Sequence, residues 1–130
     1  MPDFDLHLFT DVGKSYRPRA TLRNNGQIGF NSAAVAKFEL KEYTYAQLLY
    51  DPAQRVIAVR FHSQEPDQGA LKVTRKETNF AVAARALLDC YDIAYGGARK
   101  SRTFELKKLE SEPSTFYFEL GSDHEGEERG

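Results

Sequence analysis

The stretch spanning residues 24–40 constrains the fold most, because it orders a tight turn, a short strand and a short helix in immediate succession. Asn25 and Gly26 predict a two-residue type I′ hairpin turn, since both residue types tolerate positive φ. Ile28 and Phe30 then alternate with less apolar neighbours, which is typical of a half-buried strand. The helix that follows has only about two turns and would not be stable alone in water. We therefore expect it to pack on a sheet.

This helix has a predicted cap and a predicted buried face. Asn31 or Ser32 is expected at the cap, because the side-chain oxygen of either residue can accept a hydrogen bond from a free backbone N–H. The spacing of Ala34, Val35 and Phe38 places all three on one side of the helix. That side is expected to face the sheet.

Further strands are predicted around this unit. Phe4–Phe9 alternates in polarity and predicts an opening strand. Tyr45–Tyr50 and Arg55–Phe61 predict a hairpin whose turn contains Pro52, a residue that favours the second position of a turn. Val56–Val59 is apolar on both faces, which favours a central position in a sheet.

Beyond a polar linker, Ser63–Gly69, the same order of elements returns. A strand pattern, a polar turn at Arg75–Thr78 and a second strand pattern precede an amphipathic helix containing Ala84, Leu87, Leu88 and Tyr91. Two more strand patterns follow, one with Phe104 and Leu106 and one with Phe116, Phe118 and Leu120.

The two halves can be aligned residue by residue. Ile28 corresponds to Phe80 and Phe30 to Val82. With one extra residue in the second half, Val35 corresponds to Leu88, Phe38 to Tyr91 and Leu40 to Ile93. Neither half can bury its apolar face alone, so the two are expected to pack together.

The predicted fold is therefore a mixed α+β, β-rich class with two repeated hairpin–short helix–hairpin units packed as a pseudo-two-fold β-barrel. Its expected segments are an N-terminal strand and basic loop (1–19), a first β-α-β unit (20–62), a linker (63–69), a second β-α-β unit (70–120) and a disordered acidic tail (121–130). We expect a monomer with internal pseudo-symmetry or a homodimer.

Two short motifs in the first half carry a family resemblance. Gly26-Gln27-Ile28-Gly29-Phe30-Asn31, followed by a helix ending in Phe38-Glu39-Leu40, resembles the AbrB/MazE-like swapped-hairpin family of bacterial transition-state regulators and antitoxins. The resemblance covers residues 20–61 and, more faintly, 70–120. This chain departs from the family pattern in having glutamine for arginine, asparagine for proline, and Tyr43-Thr44 where the family has Gly-Asp.

The resemblance implies a fold and a function. In that family two chains pair to make the barrel and present basic hairpin residues to DNA. Here one chain would supply both halves. The implied function is a non-enzymatic DNA-binding protein of regulator or antitoxin type.

Composition argues against several other function classes. The single cysteine, Cys90, excludes an internal disulfide and fits a reducing cytoplasm. No apolar run approaches the roughly 20 residues that cross a bilayer, so no membrane partner is expected. His7, His62 and His124 lack metal-ligand spacing, and no glycine-rich phosphate loop is present. We expect no enzyme activity, no metal and no cofactor.

The charge is unevenly distributed along the chain. The net charge is −1, but residues 121–130 hold four acidic residues and one arginine. The remaining 120 residues, with 17 basic and 15 acidic side chains, therefore carry +2. A weakly basic body with an acidic tail is compatible with nucleic-acid binding.

Basic residues cluster near the predicted hairpins and after the glycine pair Gly96-Gly97. Neighbouring amide side chains are able to reach base edges in a groove. The predicted nucleic-acid contacts are Lys14, Arg17, Arg19, Arg23, Asn24, Asn25, Gln27, Arg75, Lys76, Arg99, Lys100 and Arg102.

Two other functions fit the same sequence. The first is a protein-interaction or structural module on the same barrel without DNA binding, which the near-zero net charge favours. The second is a single-strand nucleic-acid binder that stacks bases on Tyr16, Tyr43 and Tyr45. If the protein is an interaction or structural module, the basic residues predicted to contact nucleic acid are instead solvated charges in loops.

The acidic tail gives a direct prediction. Deleting residues 121–130 should leave the melting temperature unchanged, because the tail has no apolar side chain to bury. Thermal unfolding followed by circular dichroism would measure this. A loss of several degrees would mean that the tail docks on the body.

Overall fold

The structure is a computed structural model that describes residues 4–8, 17–76, 79–95 and 101–121. In chain order its elements are β1 (Arg19–Leu22), β2 (Gln27–Phe30), α1 (Ser32–Lys37), a 3₁₀ helix (Leu40–Glu42), β3 (Tyr45–Asp51), β4 (Val56–His62), β5 (Leu71–Lys72), β6 (Thr74–Lys76), β7 (Asn79–Ala83), α2 (Arg85–Cys90), β8 (Arg102–Glu105), β9 (Lys107–Lys108) and β10 (Thr115–Glu119). The fold is mixed and strand-rich, as predicted. Over the described residues, no helix is long and apolar enough to cross a membrane.

Within the described ranges, the strands form two antiparallel sheets. The first has the order β6-β7-β2-β1-β8 and the second has the order β5-β3-β4-β10-β9. β4 lies in the middle of the second sheet, which confirms its predicted central position. β2 and β7 are neighbours in the first sheet, so the two halves of the chain are joined there by backbone hydrogen bonds.

Two segments of the chain pass from one sheet to the other. β5 pairs with β3 and β6 pairs with β7, and a single residue, Val73, separates these short strands. β8 pairs with β1 and β9 pairs with β10, again with one residue, Leu106, between them. The N–H of Val73 donates to the carbonyl of Thr44 at 2.9 Å, and that of Leu106 donates to Pro18 at 3.0 Å. Arg75 and Lys76 therefore lie in a strand, and their predicted placement in a turn is wrong.

The first hairpin has a three-residue loop. Arg23 N–H donates to the Gln27 carbonyl at 2.8 Å, and Gly26 N–H donates to the Arg23 carbonyl at 3.0 Å. Of the loop residues Asn24, Asn25 and Gly26, all described, only Gly26 has a positive φ, +87°. The predicted type I′ turn is therefore wrong, because the extra residue permits a type I turn closed by a left-handed glycine.

Asn31 caps α1, as predicted. Its Oδ1 accepts hydrogen bonds from the N–H groups of Ala34 at 2.9 Å and Arg19 at 3.0 Å. Its Nδ2 donates to the carbonyl of Arg17 at 2.9 Å. One side chain thus caps the helix and ties its first turn to the start of β1.

The core between the sheets is centred on Phe61, which is 2% exposed. Its ring centroid lies 5.5 Å from that of Phe30 and 6.0 Å from that of Phe80, one from each half of the chain. Phe116 and Tyr43 complete the cluster at 5.9 and 5.6 Å. Aromatic contacts in T-shaped, tilted and stacked geometries thus connect β2, β4, β7 and β10.

The predicted opening strand at Phe4–Phe9 is wrong over the described residues 4–8. These residues have no strand assignment, and the side chains of Phe4, Leu6 and Leu8 are exposed. An alternating pattern becomes a strand only when a neighbouring strand satisfies its backbone hydrogen bonds. Phe9 lies outside the described residues.

Both predicted helices exist, but Tyr91 does not have the buried position expected from its correspondence with Phe38. Tyr91 is 47% exposed and its ring lies 4.6 Å from that of Tyr50. Phe38 is half-buried and packs against Phe116 at 4.4 Å.

The segments on either side of the second half of the chain are at least partly described. Residues 63–69 contain no helix or strand. Gly121, placed in the tail by sequence, has a carbonyl that accepts from Arg55 Nε at 2.8 Å. Because this first residue of the predicted tail contacts the body, a truncation that removes only residues 122–130 is cleaner than one that also removes Gly121. Residues 122–130 lie outside the described residues.

The different burial of Phe38 and Tyr91 predicts that replacing each ring with alanine will destabilise the fold to a different extent. Phe38→Ala should lower the free energy of unfolding by about 3 kcal/mol, because it removes a ring packed in the core. Tyr91→Ala should cost only about 1 kcal/mol, because half of that ring already contacts water. Urea unfolding of both variants would measure the difference. Equal losses would contradict the packing described here.

Candidate nucleic-acid interface

The outer face of the first sheet collects the polar residues of both halves. Ala20, Ile28 and Val82 point into the core, so the residues that alternate with them lie on the opposite face. Thr21, Gly29, Ala81 and Thr74 pair in register across the four strands β1, β2, β7 and β6. The members of this outer face are Arg19, Thr21, Arg23, Gln27, Gly29, Thr74, Lys76, Asn79, Ala81, Ala83, Thr103 and Glu105.

Arg23 is held flat on this face by two amides. Its Nη1 donates to Gln27 Oε1 at 3.0 Å, and its Nη2 donates to Asn79 Oδ1 at 3.0 Å. A Cβ atom at Gly29 would stand 2.3 Å from that Nη2, so the glycine leaves the space the guanidinium occupies. Arg23 therefore joins the first hairpin to β7, and its cation is fixed above the centre of the sheet.

Gln27 and Asn25 are organised around the same arginine. The side-chain oxygen of Gln27, Oε1, accepts a hydrogen bond from Arg23 Nη1 and a second one from Asn25 Nδ2, the latter at 3.3 Å. Because the two polar atoms of an amide point apart, the Gln27 NH2 group faces away from the guanidinium. Asn24 and Asn25 are exposed at the tip of the hairpin. These three predicted contacts thus lie at one end of the outer face.

The remaining members of the predicted set that lie on this face are Arg19 and Lys76. Arg19 is paired in register with Glu105 of β8, which places an opposite charge beside it. Lys76 is exposed and paired with Asn79 at the other edge of the sheet. The face is therefore polar and basic overall, with three cations and the carboxylate of Glu105, and its cations extend from β1 to the edge strand β6.

Three predicted residues are described but lie elsewhere. Arg75 alternates to the opposite side of β6, where its Nη1 donates to the Lys41 carbonyl at 2.8 Å. Arg102 is in register with the buried Leu22, and its guanidinium carbon lies 5.5 Å from the centroid of the Phe104 ring. Arg17 precedes β1, and its carbonyl accepts from the Asn31 cap. Lys14, Arg99 and Lys100 lie outside the described residues.

Sequence reasoning missed the residues that complete the face. Asn79 receives a hydrogen bond from Arg23, and Thr21 Oγ1 lies 3.0 Å from Thr103 Oγ1. These residues are 56 and 82 positions away from their partners. Only the strand register brings them together.

A separate cleft of about 860 Å³ lies between α1, the 3₁₀ helix and the β6–β7 hairpin. Val35, Ala36 and Phe80 give it an apolar lining, while Glu39, Glu42 and Arg75 are among its charged residues. A hydrogen bond with Glu39 and the charge of that carboxylate raise the pKa of Glu42 above its usual range. The cleft is therefore apolar inside and carries both signs of charge.

Other candidate chemistry is not supported by the described residues. Among them, no three histidine, cysteine or acidic side chains group in a way that could hold a metal ion. Cys90 is a free cysteine exposed on α2. Tyr43, proposed as a base-stacking platform, stacks instead on Phe61 and hydrogen-bonds Ser114 at 3.0 Å. Tyr16 and His124 lie outside the described residues.

No protein-family model matches this chain, and comparisons with curated proteins and with solved structures return no significant match. The outer face of the first sheet is the surface on which most of the described predicted residues meet.

The contact between Arg23 and Gly29 predicts a strong coupling. In the native protein, Gly29→Ala should cost about 1–2 kcal/mol, because the new Cβ displaces the guanidinium from both amides. In an Arg23→Ala background the same change should be neutral or stabilising by about 0.5–1 kcal/mol, since alanine suits a strand better than glycine. A double-mutant cycle of urea unfolding measures this coupling. Equal costs in both backgrounds would contradict it.

Proposed function

We propose that this chain is a duplicated swapped-hairpin barrel that binds duplex DNA through the outer face of its first sheet, as a non-enzymatic regulator or antitoxin. The single observation that carries the proposal is a two-fold relation between polar residues of the two halves on that face. The supporting steps are the strand register, the helix ends, the polar pairs and the charge.

The register of β2 and β7 supports the two-fold relation. Gly29 pairs with Ala81, and Ile28 and Phe30 pair with Val82 and Phe80 on either side. The sequence alignment equates Ile28 with Phe80 and Phe30 with Val82. A rotation about an axis through the Gly29–Ala81 pair therefore exchanges aligned residues, which is the arrangement expected of a duplicated unit.

The helix ends support the same duplication. Phe38 and Tyr91, aligned by sequence, have φ/ψ of −100°/5° and −102°/9° at the ends of α1 and α2. Each is followed by a residue in the left-handed region, Glu39 at φ 54° and Asp92 at φ 57°. Leu40 and Ile93 come next and are both buried. Such agreement at strained positions favours a common ancestral unit.

The two chain segments that change sheet support closure into a barrel. Residues 71–76 contain β5, which pairs with β3 in the second sheet, and β6, which pairs with β7 in the first sheet. Residues 102–108 connect β1 to β10 in the same way. With both connections in place, each sheet continues into the other at two corners, as the barrel proposal requires.

On the outer face the same axis relates polar residues in pairs. Since Thr21 pairs with Gly29 and Thr74 with Ala81, Thr21 corresponds to Thr74, and two positions further along Arg23 corresponds to Lys76. Duplex DNA has a two-fold symmetric backbone, so two related cations can meet equivalent phosphates on its two strands. The exposed Asn24 and Asn25 would lie where side chains can approach base edges.

A salt titration tests DNA binding directly. If the outer face neutralises phosphates, log affinity should fall with log salt at a slope of about 0.9 per phosphate contacted. Arg19→Gln and Lys76→Gln should each reduce that slope by about 1. Lys108→Gln is the matched control, because this exposed lysine lies on β9 of the second sheet. Fluorescence anisotropy with a random duplex provides the readout.

Removing residues 122–130 should strengthen binding, because this segment holds four acidic residues and one arginine and competes with phosphate for the basic face. Failure of the truncated chain to bind duplex DNA at low salt would contradict the proposal, since low salt favours even non-specific contacts. An equal loss for all three glutamine variants would mean that the outer face is not the binding surface.

A protein-interaction function is the second candidate, and a specific observation favours it. Phe4, Leu6 and Leu8 are 77%, 84% and 89% exposed, and an apolar cleft lies on the same chain. Exposed apolar side chains at alternate positions are typical of a segment that is covered by a partner. The two surfaces meet at Asn79 but otherwise consist of different residues, so one chain could carry both functions.

A further inference from the structure

The N-terminal segment and the cleft beside α1 are two apolar surfaces that lack cover among the described residues. Along residues 4–8, Phe4, Leu6 and Leu8 occupy alternate positions, and Asp5 and His7 occupy the positions between them. His7 Nε2 lies 3.4 Å from Asp5 Oδ2, so the two polar side chains lie together. An extended segment with this alternation has one apolar edge and one polar edge.

The corresponding region of the second half indicates what the cleft beside α1 accepts. Glu42, at that cleft, corresponds to Tyr95. A Cβ atom at Gly26 would lie 3.2 Å from the Tyr95 ring and 2.1 Å from the Arg85 side chain, so both side chains pack against the first hairpin. The Tyr95 hydroxyl donates to Asp89 at 2.9 Å, which holds the ring in place.

The two halves therefore differ at one corresponding place. In the second half an aromatic ring of the chain itself packs between α2 and the hairpin. In the first half the equivalent position is the exposed carboxylate Glu42, and the cleft of about 860 Å³ is open. A site whose counterpart holds an aromatic ring is suited in size and polarity to an aromatic or aliphatic side chain.

We propose that residues 4–8 of one copy of this chain occupy the cleft beside α1 of a second copy, and that the exchange is reciprocal. Phe4, Leu6 and Leu8 would enter the apolar part of the cleft, lined by Val35, Ala36 and Phe80. Asp5 and His7 would face the charged rim, where Arg75 and the Glu39–Glu42 pair offer both signs of charge.

The exposure of residues 4–8 and the place where the chain enters the fold favour a second copy of the chain as the partner that covers these residues. All three apolar side chains are at least 77% exposed, so the segment does not use the cleft of its own chain. The chain re-enters the fold at Arg17, whose carbonyl is bonded to Asn31 directly before Ser32, a residue of the cleft wall. The chain thus enters the fold near the mouth of a cleft, and the eight residues that separate Leu8 from Arg17 let the segment lie at most about 30 Å from that point. Two copies facing each other at these mouths can exchange segments about a two-fold axis.

Sedimentation velocity over the micromolar range tests the exchange. The native chain should show a concentration-dependent dimer. A Leu6→Ser and Leu8→Ser double variant should dimerise more weakly by roughly tenfold per leucine, because each leucine loses its burial. The matched control is Lys108→Ser with Glu110→Ser, at two exposed positions outside both the segment and the cleft, and it should retain the dimer. A monomeric native chain, or equal dimerisation of the leucine variant, would overturn the proposal.

A variant of the cleft tests the other partner in the contact. Glu42→Tyr introduces the residue type found at the corresponding position 95, and its ring should fill the cleft and abolish the dimer. Glu110→Tyr, at an exposed position before β10, is the matched control and should dimerise normally. Ala36→Trp provides a second way to fill the cleft, and circular dichroism checks that each variant is folded. Dimers that persist in both filled variants would overturn the proposal.

Disulfide trapping distinguishes exchange between copies from docking within one chain. In a Cys90→Ser background, His7→Cys and Glu39→Cys place thiols on the segment and on the rim. Oxidation should give a covalent dimer on a non-reducing denaturing gel. A cross-link confined to single chains would overturn exchange between copies. These outcomes do not depend on DNA binding, which uses the outer face of the first sheet.

Discussion

The pairing of β2 with β7 is the interaction on which the rest of the structure depends. It joins strands from the two halves of the chain at the middle of the first sheet. On the inner side it sets Phe30 beside Phe80, and both rings contact Phe61 of β4. On the outer side it sets Gly29 beside Ala81, where small residues leave room for the Arg23 guanidinium. One register thus determines both the aromatic core and the arrangement of the basic face.

Local chemistry made part of this fold predictable. The Asn31 cap, the hairpin around Pro52 and the helix ends are set by residues within a few positions of one another. The exposure of Tyr91 was not predictable, because an amphipathic pattern identifies a face without showing how completely another element covers it. The single-residue changes of sheet at Val73 and Leu106 were missed for a similar reason. Nothing in the local sequence distinguishes a strand that turns a corner from one that runs straight.

The candidate site was predictable only in its residue types. Arg19, Arg23 and Lys76 belong to one face, whereas the neighbouring Arg75 belongs to the other side of its strand. A shift of one position along a strand reverses the face, so clustering in sequence does not imply clustering in space. Asn79 could not be identified in advance, because its role depends on pairing with a strand from the other half.

The differences between the halves are as informative as their agreement. On the outer face of the first sheet, the threonine pair Thr21 and Thr74 and the cationic pair Arg23 and Lys76 follow the proposed two-fold relation, and a symmetric ligand could use it. Near the helices the relation is broken, because Tyr95 packs on the first hairpin while Glu42 leaves the equivalent cleft open. Phe80 lines the open cleft and also belongs to the aromatic core, so this difference between the halves lies directly beside that core. Under the proposed duplication, the outer face of the first sheet keeps the two-fold relation, whereas the surfaces beside the two helices have diverged.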